Sequence, residues 1–146
     1  AKIIKQTREL GLNVPLLGCD GWDSPKLVEI GGPEALNNTY FSSAYSAQDK
    51  EPAVQKFIAG YKAMYNKEPD VFCMQGYNAG LILADAIKRA GGAADGTKLA
   101  AAIAATKDLP VASGKLTYDA DHNPITSAII IELKDGVQTF KEKITL

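Results

Sequence analysis

Between residues 52 and 66 the apolar side chains Val54, Phe57, Ile58, Tyr61, Met64 and Tyr65 recur at i, i+3, i+4, i+7, i+10 and i+11. That spacing predicts an amphipathic helix whose polar face carries Gln55, Lys56 and Lys62. The stretch after it, VFCMQGYNAGLILADAIKRAGG, has apolar or small residues on nearly every face, which predicts a largely buried helix. Lys88 and Arg89 complement the negative end of its dipole, and the Gly91-Gly92 pair closes it. Gly76, Ala79, Gly80 and Ala84 would let a neighbouring backbone come close. DGTKLAAAIAATKDL predicts a third, alanine-rich helix. Upstream, Ile3, Ile4, Thr7 and Leu10 share one face of a helix that stops at Gly11, and VPLLG follows as a short strand. In DSPKLVEIGG, Asp23 or Ser24 can cap a helix with Pro25 in its first turn, and residues 38 to 45 then alternate as a strand does. Downstream, VASGKLTYDADHNPITSAIIIELKDGVQTF alternates again, with DADHNP and KDG as turns, so the chain ends in hairpins. Helix, strand, helix, strand at the start and hairpins at the end make this an α/β chain.

Composition narrows the function classes. The 146 residues suffice for one domain with a real core, and 46% hydrophobic with 23% charged residues is a globular balance. A net charge of −1 without a basic, aromatic-interleaved segment speaks against nucleic acid as a partner. No apolar run approaches the ~20 residues of a membrane-spanning helix. The first residues lack the charged-then-apolar order of a signal peptide, so any targeting segment was removed or lies outside these residues. Cys19 and Cys73 have no CxxC spacing and His122 is the lone histidine, too few ligands for a zinc site. The two cysteines read either as free thiols or as a disulfide, and neither as catalytic.

Few stretches carry chemistry. Asp119, Asp121 and Asn123 in DADHN alternate like the opening of a calcium loop, but Pro124 and Ile130 stand where that loop needs glycine and glutamate, so a hairpin turn holding His122 is the reading. GxSxG, GxGxxG and GxxxxGK[ST] motifs are absent, which removes the usual support for a hydrolase or a nucleotide enzyme. GCDGWDSPK, residues 18 to 26, is the exception. It follows a strand, and ligands of open α/β sheets bind at the C-terminal ends of strands. Asp20 could pair with an ammonium and Trp22 could supply an apolar or cation–π wall. Equally, Asp20 could be a turn former and Trp22 a core plug.

The order of elements, with the GxDGW loop, the YxxxYxxxPD helix end, the GYNAG helix and the LxYDxxxxP hairpin, closely resembles the C-terminal portion of branched-chain amino-acid-binding proteins over essentially the whole chain. These are the type I periplasmic solute receptors of ABC importers. The resemblance implies a partial type I periplasmic-binding-protein fold, an incomplete three-layer α/β sandwich with one sheet, flanking helices and C-terminal hairpins. It implies a non-enzymatic, extracytoplasmic receptor that binds an amino acid of branched-chain type or similar, without a cofactor or metal, and delivers it to a membrane permease. A ligand-sensing domain of the same fold is the alternative. Such receptors trap ligand in the cleft between two lobes joined by three crossings.

On that plan residues 1–46 belong to the second lobe, 47–111 are helices of the first lobe, and 112–146 cross back to the second. Asp20 stands where the family presents an acid to the ligand's α-ammonium, and Trp22 where the loop lines the cleft. Phe72 and Gln75 match the start of the helix that approaches the ligand's side chain. The segment that gives the first lobe its central strands, with the serine and threonine contacts to the ligand carboxylate, has no counterpart here. The resemblance therefore implies a piece of such a receptor, or a partner chain that supplies the missing surface. Helices between 52 and 106 without that sheet should fold onto the strands of residues 15–45 and 115–140, or exchange between two chains as a swapped homodimer.

Overall fold

A computed structural model describes residues 1 to 145, which fall into two compact units. The first comprises Ala1–Asp49 with Ala128–Ile144, and the second Lys50–Ser127 with Thr145.

The first unit is built on strands β1 (Leu16–Gly18), β2 (Thr39–Ser43), β6 (Ala128–Lys134) and β7 (Val137–Ile144), in the order β1-β2-β6-β7. β1 and β2 run parallel, joined by helix α2 (Pro25–Gly31), and the other two pairs are antiparallel. Alternation decides which side chains face inward. Phe41 of β2 and Ile129, Ile131 and Leu133 of β6 join Ile4, Leu27 and Leu36 in the core, beneath α2 and helix α1 (Lys2–Glu9). Each such side chain contributes about 1.5–3 kcal/mol by leaving water. The hairpin between β6 and β7 turns at Asp135 and Gly136, both at positive φ (51° and 78°), the pattern that matches strand twist in a two-residue turn. Asn37 pins it by accepting the Asp135 N–H at 2.7 Å.

The first helix departs from its expected face. Ile4 is buried, but Ile3 and Leu10 are 79% and 78% exposed. One turn beyond Ile4, Arg8 takes the inward position instead, and its guanidinium donates to the carbonyls of Leu12 (2.7 Å), Val14 (2.8 Å), Asn37 (3.1 Å) and Ala35 (3.3 Å). A charged group with five donors thus ties the helix end to two loops where an apolar stripe was expected.

The second unit contains helices α3 (Pro52–Tyr65), α4 (Val71–Ala90) and α5 (Gly96–Ala104) and the three-stranded sheet β3 (Leu109–Val111), β4 (Gly114–Tyr118), β5 (Pro124–Ile125). Polar side chains set its joints. Arg89 donates to the Ala102 carbonyl at 2.6 Å and to Thr106 Oγ1 at 3.0 Å, holding α4 to the end of α5. The buried Asn78 accepts the Ala112 N–H at 2.8 Å and donates to Ser113 Oγ at 3.1 Å, holding α4 to the β3–β4 turn. The Phe57 and Tyr77 rings, 5.2 Å apart, join α3 to α4.

Two expectations are corrected here. α4 is not largely buried: Val71, Met74, Asn78 and Ala86 face inward, whereas Phe72, Tyr77 and Leu83 are 54%, 49% and 45% exposed. A Cβ added at Gly76 or Gly80 would meet nothing within 4 Å, because the partners of α4 in this unit lie along one side only. Nor do the strands of residues 15–45 and 115–140 form one sheet: they divide between the two units. β4 pairs with β3 and β5, Tyr118 donates to the Thr106 carbonyl at 3.1 Å, and the helices find their cover in each other and in that small sheet.

Asp70 caps α4 by accepting the Cys73 N–H at 2.8 Å. Hydrogen bonding from Cys73, its side chain first and its backbone next, holds the Asp70 carboxyl below the usual aspartate range. Asp70→Ala should therefore lower stability at neutral pH by about 1 kcal/mol. A carboxyl lowered in the folded state stabilises above its unfolded value and stops doing so as pH falls through the folded one. Urea melts at pH 7 and pH 3 check this: the gap between wild type and variant narrows in acid.

Candidate functional site

The sequence after β1 folds as follows. Cys19 continues the extended backbone (φ −121°, ψ −177°), and Asp20–Trp22 then form one 3-10 turn. That turn is closed by bonds from the Trp22 N–H to the Cys19 carbonyl and from the Asp23 N–H to the Asp20 carbonyl, both 2.9 Å. Ser24 follows as the cap of α2, its hydroxyl accepting the Lys26 N–H at 3.2 Å. Strand, tight turn and capped helix place Asp20 at the C-terminal end of a parallel strand pair, the position where open α/β sheets bind ligands.

Asp20 is half-buried, and among the described residues no side-chain hydrogen bond or ion pair engages its carboxylate. Several cations of the first unit have partners of their own. Lys26 pairs with Glu29 at 2.6 Å, Arg8 is spent on carbonyls, and Lys143 pairs with Asp49 at 3.3 Å. Lys141 pairs with Glu132 at 3.0 Å above the Tyr40 ring, and each holds the other charged: Lys141 lowers the Glu132 pKa while Glu132 raises that of Lys141. The Asp20 carboxylate thus has acceptor oxygens that no described residue uses, and a primary ammonium, with three donors, would match them chemically.

Trp22 is half-buried against the core of the first unit, and its indole lies flat over Gly18. A Cβ on Gly18 would overlap the ring, so the strand must end in glycine for the indole to seat. Sequence reasoning missed Gly18; the sole signal was its spacing of four from an aromatic residue. The packed indole fixes the turn that carries Asp20.

Phe72 and Gln75 lie in the second unit, one turn apart near the start of α4, and both are exposed. The candidate residues thus fall into two pairs, Asp20 with Trp22 and Phe72 with Gln75, one in each unit. Cys19 and Cys73 are free thiols, and Cys73 Sγ and Tyr61 Oη lie 3.2 Å apart in a hydrogen bond. In the DADHN stretch Asp119 Oδ1 accepts the Asp121 and Asn123 N–H groups at 2.9 and 2.8 Å, and His122 is exposed at φ 65°, so this carboxylate is spent on closing its own turn.

A family model described as periplasmic binding protein matches residues 1–138. The chain is similar to the Leu/Ile/Val-binding protein BraC3 of Rhizobium johnstonii, with 32% identity over 116 residues, 80% of this chain and 31% of that protein. Among solved structures it is similar to a leucine-binding protein, LivK, of Thermotoga maritima, with 37% identity, a TM-score of 0.86, and coverage of 98% of this chain and 41% of the other. It is also similar to an ABC-transporter solute-binding protein of R. palustris in complex with benzoate (30% identity, TM-score 0.76, 97% and 39%). The chain thus spans well under half the length of these proteins.

Proposed function

The chain belongs to the periplasmic binding protein family, and from that premise we propose that it is the ammonium-binding part of an extracytoplasmic receptor that captures an amino acid unchanged for an ABC importer. The observation that carries this reading is the Asp20 carboxylate, which stands at the C-terminal end of a parallel strand and has no ion-pair partner among the described residues. A desolvated ammonium needs a charged acceptor, and Asp20 has the charge and the position to be one. Trp22 holds the Asp20 turn in place and lines it. Phe72 and Gln75 are assigned to the ligand's side chain on the resemblance, with the first unit as part of the receptor's second lobe and the helical unit as part of its first. The leucine and Leu/Ile/Val specificity in the names of two relatives points to a branched-chain ligand.

The relative that holds benzoate supplies the contrast, since benzoate has a carboxylate and no amine. A lone carboxylate facing Asp20 would meet like charge. Trp22 is the single tryptophan in the sequence and lies two residues from Asp20, so its emission reports on the site. Leucine, isoleucine, valine and benzoate would each be titrated into the gene product that carries these residues. Saturable changes with the amino acids and none with benzoate are expected; the reverse pattern would remove the assigned role of Asp20.

A further inference from the structure

The chain leaves the first unit through residues 46–49, a stretch that is fastened down at several points. Ser46 and Asp49 are both buried. The Asp49 N–H donates to the Ser46 carbonyl at 3.1 Å and the Gln48 N–H to Ser46 Oγ at 3.2 Å, so the stretch is a closed turn. The turn is bonded to β7, the last strand of its sheet.

That strand carries the irregularity the turn exploits. Ile130 lies opposite Glu142 and Ile131 opposite Phe140, which leaves Lys141 as one extra residue, a β-bulge. A bulge disrupts the ladder locally and leaves backbone groups in need of partners. Here the Phe140 N–H donates to Gln48 Oε1 at 2.9 Å. Beyond the bulge, Lys143 lies opposite the core residue Ile129, so the register directs it to the buried side of the sheet. Its ammonium lies 3.3 Å from the Asp49 carboxylate, whose side chain is only 6% exposed. A carboxylate so enclosed needs a charged partner, and an inward-facing lysine on an edge strand supplies one while making that edge unattractive to other strands.

Immediately beyond Asp49 the compact unit ends. Glu51 is already the N-cap residue of α3, its carbonyl accepting the Gln55 N–H at 3.1 Å, and Pro52 opens the helix. Lys50 is the one residue between the closed turn and the helix cap that belongs to neither, and it is exposed. We propose that Gln48, Asp49 and Lys143 form a latch that holds this crossing on the β7 edge and confines its bending to Lys50. The bulge at Lys141 is the device that frees a donor for the latch. A crossing latched in this way turns about one residue instead of flexing over the whole polar stretch 46–51. The latch stands on its own bonds and is independent of what Asp20 binds.

Residue-resolved amide exchange tests it. In the wild type the Asp49 and Phe140 amides should be protected and the Lys50 amide should exchange near the rate of an open chain. Gln48→Ala should speed exchange at Phe140 by about fivefold, the equilibrium equivalent of the roughly 1 kcal/mol that one hydrogen bond contributes. Gln48→Glu keeps an acceptor oxygen and should keep the protection. Lys143→Met should speed exchange at Asp49, and if that variant does not fold, the wild-type profile and the Gln48 pair still decide. Protection at Lys50 equal to that at Asp49, or an unchanged Phe140 rate in Gln48→Ala, overturns the latch.

Discussion

Asp20→Ala should, on the proposed function, lower leucine affinity in the gene product by roughly 30-fold to several thousandfold, because truncating one member of a desolvated charge pair costs about 2–5 kcal/mol. The same substitution leaves the unliganded protein's stability within about 0.5 kcal/mol of wild type, as expected of a side chain with no internal structural task. The separation follows from the geometry. Among the described residues no lysine, arginine or backbone donor engages the Asp20 carboxylate, whereas the other conspicuous acids of the first unit, Glu29, Glu132 and Asp49, are each paired. Isothermal titration gives the affinity and a thermal melt without ligand gives the stability. A melt that falls along with the affinity would make Asp20 a structural residue.

Gly18→Ala should damage both quantities. The added methyl would overlap the Trp22 indole, and that ring is packed against the core that includes Phe41 and Ile131. Either the indole leaves the core or the end of β1 shifts, and overpacking of this kind costs about 1–3 kcal/mol. Since the displaced segment is the turn carrying Asp20, ligand affinity drops too and tryptophan emission changes before any ligand is added. Gly21→Ala is the matched control, because a Cβ there meets nothing within 4 Å. A Gly18→Ala protein with wild-type emission and stability would contradict the packing described.

Much of this architecture was legible from periodicity, and the failures have physical causes. The stripe of Val54, Phe57 and Ile58 marked α3, and alternation in the downstream stretch marked the hairpin strands that include β6. Asp135-Gly136 specified its own turn through local backbone preference. α4 was misjudged because composition reports how apolar a helix is and not which arc has a neighbour; Phe72 and Leu83 stand on the arc without one in their own unit. Leu10 was expected inside because periodicity assigns faces without knowing which elements a helix meets, and Arg8 fills that inward place by bonding five carbonyls from two loops. For the same reason the Gln48–Phe140 and Asp49–Lys143 pairings, with partners more than ninety residues apart, had no sequence signature. Asp20 was legible as a candidate from its glycine-flanked position after a strand; that it lacks a cation partner required coordinates.

Leucine and 4-methylpentanoate share a side chain and a carboxylate and differ in the ammonium alone. Titrating both into the wild type and into Asp20→Asn isolates what the acid contributes. Strong preference for leucine in the wild type, reduced to near parity in the variant, is the predicted outcome. An Asp20→Asn protein that still discriminates for the amine as fully as the wild type would mean that the ligand's positive charge is held somewhere else.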